Sequence, residues 1–377
     1  APSGHFIVGP EVERFERALA SSCGARHAVG VACGSDALVL GLRCAGVVAG
    51  DVVVTTALSF VATAEAALRC GAKLAFIDVE PHTLTLCPKA LQRYLADCSL
   101  RDGVPYDEQR QGPVRALLPV HLYGRVADLQ ALAPICRRAG MVMVQDAAQA
   151  VGGYDASGRS LTTRGPVGLS FFPTKNLGAW GDAGALLLDD HAHETCARRL
   201  RQHGRDDDGT FVHSGYNSRL DELQAAILHT KLAHLPAQQQ RRRQLAHHYR
   251  EQLLASRLAP RLVPPPALGD HDVAHLFTVR INQRRTGQQK TTTTGNPLRH
   301  ELRQHLRQCG IATRVYYARG LHREPAFAHY QRPGPALPHT ERACREVLSL
   351  PLHPYLSDQQ VTRVVSAIAN FFSRRKE

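Results

Sequence analysis

The first half of the chain alternates short apolar runs with amphipathic segments that end close to a glycine. Residues 52–55, for example, form a β-branched run, and residues 61–69 have the apolar spacing of a helix that Gly71 terminates. This alternation is typical of βαβ units, so we predict a mostly parallel central sheet that is buried on both faces. The strands are predicted at residues 27–34, 52–55, 74–79, 114–121, 141–144, 169–172 and 184–188, and the helices at residues 37–44, 61–69 and 128–139.

The pattern changes after about residue 220. A long helix is predicted at residues 221–254, and three consecutive prolines at 264–266 interrupt the regular structure. The segment 286–296 contains four consecutive threonines, and we interpret it as a mobile loop. We therefore predict a large domain at residues 1–245 and a smaller α/β domain at 246–377. Its other elements are predicted as strands at 275–281 and 313–317 and helices at 297–309 and 358–372.

Composition excludes several classes of protein. The chain has 377 residues, of which 44% are hydrophobic and 21% charged, so we do not expect wholesale disorder. No apolar run reaches the length of about 18 residues that a membrane helix needs, and the first residues do not resemble a signal peptide. None of the 10 cysteines stands in a C-x-x-C spacing, which argues against a zinc ribbon, a thioredoxin motif or an iron–sulfur cluster. We expect no metal site and a reducing, cytoplasmic location.

The chain is strongly basic, with a formal net charge of +13. Its basic residues are spread over several short groups, and no aromatic residues are interleaved with them. We interpret them as solvated surface and expect neither a nucleic acid nor a membrane as partner. A phosphorylated metabolite is compatible with this charge.

The most informative segment for chemistry is SFFPTKNLG, in which Lys175 comes just after a predicted buried strand. Burial favours the neutral amine, which is the form that attacks carbonyl groups and makes Schiff bases. A lysine at a strand end can equally be a surface residue with its amine in water.

Two further motifs stand at strand ends. Asp146 follows the predicted strand 141–144, where a buried carboxylate suits a partner for a protonated pyridine nitrogen, although it could also cap a helix. The Gly34-Ser35-Asp36-Ala37 junction offers free backbone N–H groups for a phosphate, although an ordinary capped turn has the same sequence. An amine, a ring-nitrogen acid and a phosphate cradle on one sheet are together the set that pyridoxal phosphate needs.

These motifs belong to longer stretches that resemble a known family. The chain is similar to the DegT/DnrJ/EryC1/StrS group of pyridoxal-phosphate sugar aminotransferases, which have the fold type I (aspartate aminotransferase) architecture. The resemblance extends from about residue 28 to residue 360. The stretches are GSDALVLGL, TTALSFVATAEAAL, PVHLYGRVADL, QDAAQAVGG, SFFPTKNLGAWGDAGAL, GYNSRLDELQAAIL and RVYYARGLH.

The resemblance implies roles around the cofactor ring. Lys175 would hold pyridoxal 5'-phosphate as an internal aldimine and later move a proton. Asp146 would pair with the pyridine nitrogen, and Gln149 would lie near the ring or its phenolate oxygen. Phe60 would stack on the ring face; a core phenylalanine is the alternative.

The resemblance also implies roles around the phosphate. Ser35 and Asp36, next to Gly34, would donate backbone amides, and Ser170 would donate its hydroxyl. Asn217 matches a family residue that reaches the phosphate from the neighbouring subunit. A homodimer with shared active sites is therefore expected.

Substrate contacts are implied less specifically. Tyr216 and Arg219 stand beside the segment that reaches the neighbouring subunit, and Tyr317 and His322 match the part of the family sequence that closes the substrate pocket. Residues 318–320 replace the proline-rich run that is usual in the family, so the resemblance does not carry substrate contacts over on that side.

The resemblance implies transfer of an amino group from L-glutamate to a keto-sugar linked to a nucleoside diphosphate, in two half-reactions with ping-pong kinetics. The GSDAL and NSRLD stretches look slightly more like enzymes of 3-keto-sugars than of 4-keto-sugars. One alternative is a sugar dehydratase of the same family, which has His at the position of Lys175. The other is a regulator that binds the cofactor without catalysis.

Overall fold

The computed structural model describes residues 4, 6–256, 258–282, 296–327, 330 and 336–375. Apart from Asn296, the predicted mobile loop at 286–296 lies outside these residues. The amino-terminal strands are β1 (His27–Val31), β2 (Val52–Thr56), β3 (Lys73–Ile77), β4 (Ser99–Arg101), β5 (Val104–Asp107), β6 (Gly112–Leu118), β7 (Val142–Met143), β8 (Gln145–Asp146), β9 (Val167–Ser170) and β10 (Gly184–Leu188).

The central sheet has the order β3-β2-β6, then β7 and β8 in line, then β9-β10-β1. A parallel bridge between Val120 and Asp146 joins its two halves. Within this order only β10 runs antiparallel to its neighbours, and β2 and β10 are buried along their whole length. The prediction of a mostly parallel, two-sided buried sheet is therefore confirmed. Because parallel strands end at one edge, the segments that follow β1, β2, β8 and β9 meet there.

Helices cover the sheet and fill the connections. Several show the expected termination signals; the first, for example, begins at Pro10 with acidic residues in its first turn and ends at Gly24, whose φ of 62° is left-handed. The helices up to the interdomain connection are α1 (Pro10–Cys23), α2 (Gly34–Cys44), α3 (Val61–Arg69), α4 (Pro88–Ala96), α5 (Leu129–Arg138), α6 (His191–Leu200) and α7 (Glu222–Leu232).

A second core lies in the carboxyl-terminal part. Its antiparallel sheet has the order β11-β12-β13, and helices from both ends of this part pack against it. The elements are α8 (Leu235–Ala255), β11 (Leu262–Val263), β12 (Phe277–Ile281), α9 (Pro297–Gln308), α10 (Pro338–Glu346), β13 (Val347–Leu350) and α11 (Asp358–Ser373). Leu235 packs in the first core and Leu245 in the second.

Several predicted boundaries are wrong. The helix predicted at 221–254 is two helices, because Pro236 in the first turn of α8 has no N–H with which to continue α7. The strand predicted at 313–317 is reduced to an isolated bridge between Arg314 and Ser349. Among the described residues, no helix combines the length and the apolar character that crossing a bilayer requires.

Candidate active site

Asp146 lies at the end of β8 and is almost fully buried. Its carboxylate accepts a hydrogen bond from the Thr63 hydroxyl (2.7 Å) and another from the Ala148 amide (3.1 Å). Thr63 is held in turn by the Ser59 hydroxyl at 2.7 Å. Burial raises the pKa of Asp146 above its ordinary value, while the two hydrogen bonds favour the ionised form. The site thus contains a carboxylate in fixed orientation that gains from a cationic partner.

Lys175 lies beyond β9 in a turn closed by a hydrogen bond from its own amide to the Phe172 carbonyl (2.8 Å). The turn needs Gly178, since a Cβ there would come within 2.4 Å of the Pro173 oxygen. Lys175 is half-buried, and this desolvation lowers the pKa of its amine, whereas the charge of Asp146 acts in the opposite direction. The two groups therefore interact across the same edge of the sheet, and the amine gains neutral character.

Gln149 and Tyr317 form the next part of the site. The Gln149 side-chain oxygen accepts a hydrogen bond from the Tyr123 amide (2.6 Å), and its nitrogen donates to the Tyr317 hydroxyl (3.5 Å). Burial, and the charge of Asp146, raise the pKa of Tyr317. Tyr317 consequently lies within electrostatic reach of Asp146.

Phe60 precedes α3 and is 57% exposed, with its ring centroid 6.5 Å from that of Tyr317. The alternative interpretation of Phe60 as a core residue does not agree with this exposure. An exposed aromatic ring beside Tyr317 is instead available to stack on a flat ligand.

The start of α2 lies against the end of β9. A Cβ on Gly34 would come within 2.6 Å of the Ser170 Cβ, so only glycine permits this approach. Ala37 makes the first hydrogen bond within the helix, to the Cys33 carbonyl, and the Cys33 thiol makes no capping hydrogen bond although it lies beside the Ser35 amide. The first amides of α2 and the Ser170 hydroxyl are thus placed to donate to an anion, which fits a phosphate group.

The side chain of Asp36 does not compete for this position. Its carboxylate forms an ion pair with Arg69 at 2.8 Å. The guanidinium of Arg69 also lies over the ring of Tyr216, 5.8 Å from its centroid. Tyr216 is therefore connected to the start of α2 through Arg69.

Asn217 and Arg219 follow Tyr216 on a segment whose buried residues Ser218 and Leu220 pack against β1 and the residue that follows it. Asn217 is exposed and pairs with Gln202 in an antiparallel bridge. Arg219 is half-buried, and among the described residues it forms no ion pair. No described contact joins Asn217 or Arg219 to Lys175 or Asp146 within this chain.

His322 lies apart from these groups. It is buried, its Nε2 is 3.3 Å from the Glu341 carboxylate, and burial lowers the pKa of its imidazole. The amide of the preceding Leu321 donates to the Ala57 carbonyl at 2.8 Å. Leu321 thus connects the carboxyl-terminal part to the loop after β2. The described contacts of His322 include neither Lys175 nor Gln149.

Sequence reasoning missed four residues that hold the site together. These residues are Thr63, Tyr123, Asn176 and His275. The side-chain oxygen of Asn176 is 2.9 Å from Nδ1 of His275. Burial, and the nearby charge of Lys175, keep the pKa of His275 well below its ordinary value, so it is neutral. No spacing in the sequence indicates the pair 176–275, whereas the tyrosine–glycine step at 123–124 after a strand was a usable signal.

Comparisons with known proteins find relatives that align with nearly the whole chain. Residues 1–369 match the model of the DegT/DnrJ/EryC1/StrS aminotransferase family. A pleiotropic regulatory protein of Geobacillus stearothermophilus is 39% identical, with coverage of 98% of this chain and 91% of that protein. The dTDP-3-amino-3,4,6-trideoxy-alpha-D-glucose transaminase of Streptomyces venezuelae is 37% identical, with coverage of 99% and 90%.

The fold has a counterpart among solved structures. The crystal structure of Streptomyces venezuelae DesV in complex with a ketimine intermediate superposes with a TM-score of 0.84. It is 36% identical, and the match covers 100% of this chain and 92% of that one.

Proposed function

The chain belongs to the DegT/DnrJ/EryC1/StrS aminotransferase family, and from this membership we propose that it is a pyridoxal-phosphate enzyme that aminates a keto-sugar. The proposed acceptor carries a nucleoside diphosphate, and the proposed amino donor is L-glutamate. The observation on which this depends is the pair formed by Lys175 and Asp146, an amine and a carboxylate held by burial and hydrogen bonds at neighbouring strand ends.

The residues at the sheet edge fit the cofactor part by part. Asp146 would hold the pyridine nitrogen protonated, Phe60 would lie on the ring, and Gln149 would meet the ring's polar edge. Gly34, Ser35, Asp36 and Ser170 would surround the phosphate. When bound, the cofactor supplies an aldehyde that carries the amino group between the substrates and a ring that accepts electrons.

Lys175 has two tasks in this proposal. Its Nζ can bond the aldehyde in the resting enzyme, because the burial that lowers its pKa increases the neutral, nucleophilic fraction. Once released, the same amine can take the proton from the Cα of the amino donor. The dehydratases of the family carry His at this position, so the lysine favours transamination over dehydration.

The acceptor class is supported by charge and by the relatives. The net charge of +13 suits an acceptor with a diphosphate. The Streptomyces venezuelae relative is named as a transaminase of a dTDP-linked 3-amino sugar. We therefore propose amination at carbon 3 rather than carbon 4, with Tyr216, Arg219, Tyr317 and His322 as candidate contacts to this substrate.

We further propose a homodimer with shared active sites, located in the cytoplasm. Asn217 is exposed on its own chain, as a residue that reaches a neighbouring site would be. Phe6, Trp180 and Leu223 are all more than two-thirds exposed, and backbone and Gln224 contacts hold their segments side by side. Such an apolar patch fits a subunit interface. The ten free cysteines fit a reducing compartment.

The test is to incubate the cofactor-loaded protein with L-glutamate and a panel of nucleotide-linked 3-keto- and 4-keto-sugars, and to identify the product by mass spectrometry. We expect an amino-sugar from a 3-keto substrate, equimolar 2-oxoglutarate, and no product from Lys175→Ala. Absence of amino transfer to the whole panel, with cofactor bound, would contradict the proposal.

A regulator without catalysis is the second candidate, because the Geobacillus relative is named as a regulatory protein. Such a role alone does not require an amine of lowered pKa close to a buried carboxylate. Conversion of the bound cofactor to its amino form by glutamate alone, followed by absorbance, separates the two: the enzyme converts it, whereas a regulator leaves it unchanged.

A further inference from the structure

Two histidines and a glutamate converge at the start of β1, the end of that strand opposite to the one that Gly34 follows. His27 begins β1, and His191 and Glu194 lie in the first turns of α6. One ligand atom from each of the three lies within 4.8 Å of the others. His27 is distant in sequence from the other two, and none of the three residues has a role in the proposed function.

The distances from Glu194 to the two imidazoles are close to those of a metal site. His191 Nδ1 is 2.9 Å and His27 Nδ1 3.6 Å from the same oxygen of Glu194. A tetrahedral zinc ion with bonds of about 2.0–2.1 Å separates its ligand atoms by roughly 3.4 Å. The observed separations lie on either side of this value, so small side-chain rotations suffice to bring all three atoms to bonding distance.

The surrounding charges leave the required atoms available. Arg198 donates to the other oxygen of Glu194 at 2.6 Å and fixes the carboxylate in place. That leaves one oxygen facing the two imidazoles. Arg198 also pairs with Glu16, so its charge is shared between two carboxylates. Glu194 has 12% of its side chain exposed and His191 81%, so the cluster is anchored on one side and reachable from solvent on the other.

We propose that His27, His191 and Glu194 form a site for a divalent transition-metal ion, of which zinc is the best match to two imidazoles and one carboxylate. The ion would connect the start of α6 to the start of β1, and a water molecule would complete its coordination. Because it joins two elements of the folded chain, we assign it a stabilising role rather than a catalytic one.

The experiment uses the cofactor-loaded enzyme, freed of metal with a chelator and desalted, and titrates it with zinc chloride by calorimetry. Zinc should also raise the unfolding temperature. The variants are His191→Asn, whose side chain is exposed enough for the fold to tolerate the change, and Glu194→Gln. The matched control is His247→Asn, because His247 forms an exposed pair with Glu251 at 3.1 Å outside the cluster.

We expect His191→Asn and Glu194→Gln to lower zinc affinity at least tenfold and to abolish the thermal shift, while His247→Asn keeps both. The proposal is overturned if the cluster variants titrate like the control, or if the enzyme takes up no zinc and the cluster is an ion pair only. Neither zinc affinity nor the unfolding temperature depends on amino transfer. The experiment therefore tests the zinc site separately from the proposed function.

Discussion

At the scale of single residues, the site depends on opposing influences on two ionisable groups. Burial raises the pKa of Asp146 and disfavours the charged form that can balance a cation. The Thr63 hydroxyl and the Ala148 amide favour the ionised carboxylate, and Ser59 orients Thr63. Thr63 is therefore a positioning residue, and its hydroxyl should affect the pH at which the enzyme works.

Thr63→Val keeps the shape of the side chain and removes the hydrogen bond to Asp146. A hydrogen bond to a charged group contributes about 1.5–3 kcal/mol, so we expect kcat to fall about 10- to 100-fold. Because the lost bond favoured the ionised form, the pKa of Asp146 should rise and the acid limb of the kcat profile should move to higher pH. Initial rates across pH measure both effects.

The matched control is Ser59→Ala, which contacts Thr63 but not the carboxylate and should produce a smaller change in the same direction. An unshifted acid limb in Thr63→Val would mean that the hydroxyl does not act through the ionisation of Asp146.

At the scale of elements, the phosphate cradle depends on how closely the start of α2 approaches the end of β9. Sequence reasoning found both motifs because each follows a buried strand, and strands such as 52–55 were predictable from their β-branched composition. It could not find the contact between Gly34 and Ser170, which exists only when the two strands have paired through β10.

Other elements escaped prediction for related reasons. In the carboxyl-terminal sheet, β12 pairs with β13. The apolar pattern of residues 313–317 does not distinguish a strand from the one-residue bridge that Arg314 forms with Ser349. Thr63 and His275 were missed because their partners are remote in sequence. The roles of Phe60, Asn217 and Gln149 came from the family resemblance and not from the pattern of this chain.

Gly34→Ala tests the close approach directly. The new Cβ would meet Ser170 at 2.6 Å, so α2 or Ser170 must move, and the amides and hydroxyl no longer converge. We expect affinity for pyridoxal phosphate to fall more than about tenfold, a loss of about 1.4 kcal/mol or more. Titration of the apoenzyme, followed by fluorescence, measures it.

The control for this variant is Ser35→Ala, which keeps every backbone amide of the helix start and should bind the cofactor within a few-fold of the natural chain. Normal affinity in Gly34→Ala would mean that the junction is not the phosphate site.

At the scale of the whole molecule, the proposed function includes a second subunit. Within one chain, Asn217 makes no described contact with the other residues that are proposed to bind the phosphate. An apolar patch that includes Trp180 also stays exposed. Both observations agree with a dimer in which each subunit supplies Asn217 to its partner.

Mixed dimers test this arrangement. We expect Lys175→Ala and Asn217→Ala to be nearly inactive alone. When the two are unfolded together and refolded, half of the dimers are mixed, and each mixed dimer has one intact site. Activity should therefore return to about a quarter of the natural value.

The control mixture pairs Lys175→Ala with Asp146→Ala, whose changed residues belong to the same site, and should recover nothing. Failure of the Asn217 mixture to recover activity, although mixed dimers form, would place Asn217 in its own subunit's site or in none.

The most direct test of the central claim concerns the Lys175 amine. The protein, supplied with pyridoxal phosphate and reduced with sodium borohydride, is digested and analysed by mass spectrometry. We predict that the cofactor is attached to the peptide containing Lys175, and that Lys175→Ala loses both this attachment and the visible absorbance of the bound cofactor. Cofactor fixed to a different lysine, or to none, would contradict the account.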